Sequence, residues 1–163
     1  VLMMGWDHTF SYKGFTLYFL LDWRYGGEVL SQTQAEMDLY GVSETSAAAR
    51  DAGGVWINGR SRVNPQSFYE VVASQSGLPT YYTYSATNLR LQEAHIGYTV
   101  PRRWLGNVCD INVSLVGRNL WMIYCKAPFD PEAVATTNNY YQGIDYFMMP
   151  STRNIGFNIK INF

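Results

Sequence analysis

The chain has 163 residues and a net charge of −1 with no basic block, which argues against nucleic acid as a partner. Charged residues make up only 15% of the sequence, below the roughly 25% of a typical soluble domain, whereas aromatic residues reach 16%. The chain lacks the apolar run of about 18 residues that a transmembrane helix needs, but strands that cross a membrane alternate and leave no such run. This composition favours strands with one apolar face and aromatic side chains at a membrane interface.

The start of the chain predicts a β-hairpin. In residues 2–12 the apolar side chains share one parity, which is the period of a strand with a single apolar face. In residues 15–27 apolar side chains again alternate with polar and charged ones. Lys13-Gly14 is expected to form the turn between the two strands.

Residues 31–85 contain no long alternating run, and their glycines and prolines are typical of loops. A structureless loop of this length would be unusual inside a compact soluble domain. Only residues 43–52, which contain alanine and glutamate, are predicted to be partly helical.

Three further strands are predicted at residues 88–100, 111–124 and 153–163. The last alternates most regularly, with apolar side chains at odd positions from Ile155 to Phe163. In the first of the three, the parity of the apolar residues changes near Glu93, which predicts a β-bulge or a strand that leaves the membrane there.

The lengths of the four connections predict how the five strands are arranged. They run short, long, short, long, and in outer-membrane barrels the short turns face the periplasm while the long loops face outward. If residue 163 ends at the periplasmic side, the short connections at residues 13–14 and 101–110 face the periplasm as well. The pattern predicts an all-β fold, in which antiparallel strands form the C-terminal segment of a transmembrane β-barrel with long extracellular loops.

Five strands cannot close a barrel, because an open edge in lipid would leave backbone groups unpaired at a cost of several kcal/mol each. The chain also begins with Val1 rather than Met, and no secretory signal peptide opens it. We therefore expect a piece of a longer protein, completed by partner strands.

Aromatic and charged residues fit this arrangement. Tyr12, Phe15, Tyr98 and Phe163 are expected near the periplasmic interface, and Trp23, Tyr25 and Trp121 near the outer one. The alternative is that aromatic residues are common in any strand. Arg24, Arg90 and Arg118 are expected to face the lumen, because a charge facing lipid costs a few kcal/mol near the midplane. Their alternative role is pairing with acids on the plug or on neighbouring strands.

Three stretches carry a family resemblance. The first is Phe10-Ser-Tyr-Lys-Gly-Phe-Thr-Leu, followed by Tyr25-Gly-Gly. The second is Asn88-Leu-Arg-Leu-Gln-Glu-Ala-His-Ile-Gly-Tyr-Thr-Val-Pro101. The third is Val113-Ser-Leu-Val-Gly-Arg-Asn-Leu-Trp121, followed by Phe129-Asp-Pro-Glu132 and Pro150-Ser-Thr-Arg-Asn-Ile-Gly-Phe157. In order and spacing, across nearly the whole chain, they resemble the C-terminal part of the SusC-like (RagA-like) TonB-dependent outer-membrane transporters.

The resemblance implies a parent barrel of roughly 22 strands with a plugged lumen, and this chain contains neither the plug nor the segment that contacts TonB. It implies import of glycans or oligopeptides through the outer membrane of a Gram-negative bacterium, energised through TonB, with a SusD-like surface lipoprotein as a cap. No enzymatic activity and no cofactor are expected. The terminal Phe163 resembles the signal that the barrel-assembly machinery reads in outer-membrane proteins.

Aromatic residues in the predicted loops are candidates for contact with the substrate or with the lipoprotein cap, since such rings offer contact area at low entropic cost. They are Tyr81, Tyr82, Tyr140, Tyr141, Tyr146 and Phe147. Packing between loops is an equal alternative.

Other constellations are weaker. Asp130 and Glu132 offer only two carboxylates, whereas Ca²⁺ takes about six or more oxygen ligands, so a loop turn is expected there. His8 and His95 are not paired by spacing, and no catalytic or metal motif is present. The cysteines at 109 and 125 are expected to remain unpaired, because the strand between them holds them apart.

Two other classes of protein are considered. An outer-membrane barrel enzyme would need a nucleophile and a base on one rim, and hydrolytic activity would favour it. A soluble β-sandwich binding module would need polar residues on the outer faces of its strands, and solubility without detergent would favour that class.

Overall fold

The computed structural model describes residues 1–74, 76–106, 108–136, 138 and 141–162. The elements of the first part of the chain are β1 (Leu2–Tyr12), β2 (Phe15–Tyr25), β3 (Glu28–Ser31), α1 (Gln32–Leu39), α2 (Glu44–Asp51), β4 (Val55–Ile57), β5 (Ser61–Val63) and α3 (Pro65–Val72). Those of the second part are β6 (Thr83–Ser85), β7 (Asn88–Val100), β8 (Asp110–Cys125), β9 (Ile144–Asp145) and β10 (Asn154–Asn162). Short 3₁₀ turns span Pro79–Tyr82 and Arg102–Leu105.

The chain forms two compact units. The sheet unit consists of Val1–Gly27, Ala86–Asp130 and Pro150–Phe163. The helical unit consists of Glu28–Ser85 and Pro131–Met149. Within the described ranges, no helix is both long enough and apolar enough to cross a membrane.

The sheet unit is one antiparallel sheet of five long strands in the order β1-β2-β7-β8-β10. Lys13 and Gly14 both have positive φ, as the tight turn of a right-twisted hairpin requires. The five predicted strands correspond to these five: β1 and β7 have the predicted ends, and the described ends of the other three differ by at most two residues. The largest difference is at β2, which ends at Tyr25 because Gly26 and Gly27 take positive φ.

One face of this sheet is apolar across its whole width. Side chains that lie opposite each other on paired strands point to the same side of a sheet. A single row crosses all five strands through Phe10, Leu17, Ile96, Leu115 and Phe157. The neighbouring row, on the other face, runs through Ser11, Thr16, Gly97, Ser114 and Asn158. The register therefore joins the apolar side chains of five separate strands into one surface.

The change of parity predicted near Glu93 is a β-bulge. Gln92 is the extra residue, because its two neighbours on β7 pair with consecutive residues of β2. The slip brings Leu91 onto the apolar face and places Arg90 opposite Asp22 on the polar face. Without it, the charge of Arg90 would lie on the apolar side.

The helical unit contains a small sheet of order β6-β3-β9 and the β4-β5 hairpin. Each helix begins with a polar side chain that accepts a hydrogen bond from a backbone N–H of the first turn. These N-cap residues are Ser31 for α1, Ser43 for α2 and Asn64 for α3. The buried core of the unit is formed by Ala35, Val72 and Tyr82, with Leu30, Phe68 and Ala73 packed against it.

Residues 31–85 differ from their prediction as a long loop. The helix predicted at residues 43–52 is present as α2, with Ser43 and Ala52 as its caps. The sequence analysis missed α1 and α3, which are each eight residues long. In α1 the apolar residues Ala35, Met37 and Leu39 recur at every second position, so helical periodicity gives no signal. This part of the chain is a folded unit rather than a structureless loop.

The all-β prediction with mostly antiparallel strands is confirmed. Among the described residues the large sheet is open, since β1 and β10 each pair with a strand on one side only. A closed barrel remains a prediction.

Candidate functional site

The apolar face of the large sheet is exposed on every strand. Phe157 on β10 is 76% exposed and Leu115 on the neighbouring β8 is 56% exposed. On soluble monomers a contiguous apolar patch rarely exceeds a few hundred Å², and larger patches mark interaction or membrane surfaces. A face that spans five strands is suited to an apolar environment rather than to water.

Aromatic side chains lie toward both ends of this face. Phe15 and Tyr98 lie at the end with the Lys13-Gly14 turn, with ring centroids 4.6 Å apart. Trp23 and Tyr25 lie toward the opposite end, with centroids 6.0 Å apart. The first pair shares its end with the exposed Tyr12, and the second pair shares its end with the exposed Trp121. Phe163, predicted for the periplasmic girdle and as an assembly signal, is outside the described residues.

The opposite face of the sheet carries charged and polar groups. Arg118 Nε donates a hydrogen bond to Glu93 Oε2 at 3.1 Å, across β7 and β8. Nearby, the rings of Tyr18 and His95 stack with centroids 5.0 Å apart. The two faces of the sheet thus differ sharply in polarity.

The three arginines predicted to face a lumen all lie on this polar face. Arg24 lies opposite Asn88, and Arg90 lies opposite Asp22, so both share a side with Arg118. Pairing with acids, the alternative role, is what the structure shows for Arg118 and also for Arg90.

Arg90 forms a buried ion pair where β7 meets the segments that follow β8 and precede β10. Its Nη2 donates to Asp130 Oδ1 at 3.1 Å, and the two side chains are only 4% and 10% exposed. The other oxygen, Asp130 Oδ2, accepts hydrogen bonds from the backbone N–H of Ser151 at 3.0 Å and from the Ser151 hydroxyl. We call Arg90, Asp130 and Ser151 the base network.

Pairing with an acid was the alternative role expected for Arg90, but the sequence did not indicate Asp130 as its partner. Arg90 lies 40 positions before Asp130, which lies 21 before Ser151, so no local pattern connects them. All three belong to the stretches that carry the family resemblance, which was the available signal.

Both carboxylate oxygens of Asp130 accept hydrogen bonds from protein donors. No three His, Cys, Asp or Glu side chains in the described part of the chain are grouped so as to hold a metal ion. The histidines are apart: His8 contacts Phe10 on the apolar face, whereas His95 is on the polar face. Both cysteines are free thiols.

The loop aromatic candidates divide by exposure. The rings of Tyr81, Tyr141, Tyr146 and Phe147 are exposed. Tyr82 is 2% exposed and belongs to the core of the helical unit, so at this residue the structure shows packing, which was the alternative to a surface contact. Its neighbour Tyr81, in the same 3₁₀ turn, is 50% exposed. Tyr140 is outside the described residues.

Asp38 is a buried polar centre that the sequence analysis missed. Its Oδ1 accepts hydrogen bonds from Thr45 Oγ1 at 2.6 Å, from Gln34 Nε2 at 3.0 Å and from the Ser43 hydroxyl. Burial, with a further contribution from the nearby Asp38 carboxylate, raises the pKa of Tyr82. Ser43 and Thr45 at the start of α2 therefore bind the Asp38 carboxylate on α1, and the role of this carboxylate is structural.

Among known proteins, the chain is similar to "TonB-dependent receptor P3" of Formosa agariphila, with 26% identity over 167 residues. The alignment covers 96% of this chain and 16% of the receptor, so the chain spans about a sixth of that relative's length. No family model matches the chain. The similarity supports the TonB-dependent receptor family.

Proposed function

We propose that the chain is the C-terminal barrel segment of a TonB-dependent outer-membrane transporter. One observation carries the proposal: the five-stranded sheet exposes an apolar face that extends over all five strands on one side and a charged face on the other. A transmembrane barrel needs this distribution, with lipid outside and a wet lumen inside. The similarity to a TonB-dependent receptor supports the same function and favours transport over catalysis.

The open sheet is completed by strands from the rest of the parent chain. β1 and β10 are the edge strands, and each would leave a row of backbone groups unpaired in lipid. A parent barrel of roughly 22 strands, plugged by an N-terminal domain, supplies the missing partners. The exposed apolar face contacts outer-membrane lipid.

Within this barrel the polar face lines the lumen. Arg24, Arg90 and Arg118 then face water, the plug or passing substrate, and not lipid. Arg24 is the candidate for substrate passage, because Arg90 and Arg118 are engaged with Asp130 and Glu93.

The finer assignment is to the SusC-like (RagA-like) type. It rests on the three motif stretches of the sequence and on their arrangement in the sheet. The transported nutrient is a glycan or an oligopeptide, a SusD-like lipoprotein is the partner at the cell surface, and TonB acts through the parent chain. The exposed rings of Tyr81, Tyr141, Tyr146 and Phe147 are the candidates for contact with the substrate or the lipoprotein. We also propose that the barrel-assembly machinery reads Phe163.

The test is to tag the parent protein in its native cell at the exposed turn of the β4-β5 hairpin, between Asn58 and Gly59. Membranes are extracted in mild detergent, and the co-purifying proteins are identified by mass spectrometry. We expect a much longer parent chain in the outer-membrane fraction, together with a surface lipoprotein in comparable amount. An 18.6 kDa species in the soluble fraction would overturn the transporter assignment. A parent chain without a lipoprotein would overturn only the SusC-like assignment.

A further inference from the structure

Both ends of residues 131–149 are held by one carboxylate. Asp130 immediately precedes this segment, and Ser151 follows it by two residues. Asp130 Oδ2 accepts hydrogen bonds from both the backbone N–H and the hydroxyl of Ser151, which ties the start of the segment to its end. The segment is therefore closed at its base by side-chain chemistry and not by strand pairing.

Burial makes this closure hard to open. Asp130 and Arg90 are nearly inaccessible, and a buried charge that loses its partner is strongly unfavourable. The turn between β8 and Asp130 is also held, since Cys125 Sγ contacts the Ala127 carbonyl oxygen at 3.3 Å and the Lys126 N–H donates to the Thr87 carbonyl. Arg90 itself is fixed in the middle of a strand. Asp130 is thus bonded to Arg90 on β7 and to Ser151, which lies just beyond residue 149.

The same segment carries the exposed rings of Tyr141, Tyr146 and Phe147. Within the helical unit its middle is held separately, by a buried hydrogen bond of 2.8 Å from Ser31 Oγ to Asp145 Oδ2. Phe147 has a φ of 49°, which a bulky residue adopts only when its surroundings impose it. Residues 141–149, which display these three rings, are therefore held to the rest of the helical unit by the hydrogen bonds of Asp145 and Phe147.

We propose that Asp130 is a positioning residue: with Arg90 and Ser151 it keeps the base of residues 131–149 closed and so pre-orders the aromatic surface that the segment displays. The ordering of the segment does not depend on the proposed function; only the statement that a ligand binds this surface rests on it. Closing a loop at its ends reduces the conformations that it samples, and a pre-ordered surface loses less freedom when a ligand binds. Asp130 therefore acts through the segment and does not itself contact the ligand.

The test is amide hydrogen exchange, followed by mass spectrometry, on the full-length parent protein purified from the outer membrane. In the D130N variant we expect exchange of residues 141–149 to accelerate about tenfold more than exchange of the β1-β2 hairpin, which reports any general loss of stability. D130E retains a carboxylate and should stay close to wild type. S151A loses one of the two donors to Asp130 Oδ2 and should give an intermediate rate.

The matched control is D110N, which breaks the exposed ion pair of Asp110 with Arg102 at the other end of the sheet. It should leave the exchange of residues 141–149 unchanged. The proposal is overturned if D130N leaves that exchange unchanged, or if the acceleration spreads equally to the β1-β2 hairpin, which would indicate general destabilisation. Fractionation of the wild-type parent away from the outer membrane would overturn the proposed function, and it would leave the exchange result standing.

Discussion

At the scale of single residues, Tyr82 shows how burial gives an ordinary side chain a pH dependence. Its ring fills the core of the helical unit, near the carboxylate of Asp38. Burial raises the pKa of Tyr82 above its ordinary value of about 10, because the phenolate is disfavoured away from water and near Asp38. Tyr69, Tyr81 and Tyr84 also have a raised pKa, with burial again the main cause.

We predict that the helical unit loses stability at alkaline pH. The folded-state pKa of Tyr82 is raised, so its contribution is fully present below the unfolded value of about 10 and is lost as the pH rises through the folded value. Tyr82→Phe removes the ionisable group, so it should reduce the alkaline loss and change stability at neutral pH by less than about 1 kcal/mol. Both effects are measured by urea unfolding at pH 8 and at pH 11. Footprinting of peptides from the helical unit at each urea concentration reports how much of that unit is unfolded.

The control for this prediction is Tyr146→Phe, which removes a hydroxyl from an exposed ring of the same unit. It should leave the difference in unfolding stability between pH 8 and pH 11 as it is in the wild type. If Tyr82→Phe also leaves that difference in stability unchanged, Tyr82 is not the cause of the alkaline loss and the prediction is wrong.

The buried and exposed ion pairs of the sheet unit should differ in their contribution to stability. Removing one partner of the buried Arg90–Asp130 pair leaves an uncompensated charge, so Asp130→Asn should cost about 3–5 kcal/mol. Arg118 is mostly exposed, so Glu93→Gln should cost no more than about 1 kcal/mol. Guanidinium unfolding of the full-length protein in detergent compares the two variants. Equal losses of unfolding free energy would contradict the burial of the Arg90–Asp130 pair.

At the scale of elements, the β1-β2 turn depends on a glycine. Gly14 has a φ of 88°, and a Cβ there would lie 2.9 Å from the backbone oxygen of Thr99 on β7. The turn thus packs directly against the neighbouring strand, to which Gly14 also accepts a hydrogen bond from the Thr99 N–H at 2.8 Å. This is a position where the close approach of two backbones excludes a side chain.

We predict that Gly14→Ala destabilises the sheet by about 1–3 kcal/mol, through strain at positive φ and the clash with Thr99. Gly156→Ala is the matched control, because a Cβ there meets no atom within 4 Å and the backbone is extended. It should change stability by less than about 0.5 kcal/mol. The midpoint of thermal unfolding of the full-length protein in detergent measures both. Similar losses for the two variants would contradict the turn geometry.

At the scale of the whole molecule, the two sheet faces predict opposite responses to the same substitution. Ile159 lies on the apolar face of β10, opposite Val113, and Asn158 lies on the polar face, opposite Ser114. If the apolar face contacts lipid, Ile159→Arg should cost about 2–4 kcal/mol near the midplane, and Asn158→Arg should cost far less. Guanidinium unfolding of the parent protein in lipid vesicles gives both values. Equal costs would mean that the apolar face does not contact lipid.

Charge is distributed between the units in a way that the net charge conceals. The sheet unit contains nine basic and five acidic residues, and the helical unit contains three basic and eight acidic residues. The net charge of −1 is therefore the sum of a basic sheet unit and an acidic helical unit. Composition alone excluded a basic nucleic-acid-binding protein, but it could not separate these two regions.

Local alternation was enough to predict the five long strands, the Lys13-Gly14 turn and the bulge beside Glu93, because the two-residue period of a strand is written in neighbouring residues. The short helices α1 and α3 were not predictable in this way, since eight residues give a weak periodic signal and tertiary packing supplies most of a short helix's stability. Only the tertiary structure decided that Tyr82 is a core residue and that Arg90 meets Asp130 across 40 positions. Such contacts depend on how segments that are distant in the sequence pack together, and the order of neighbouring side chains does not predict that packing.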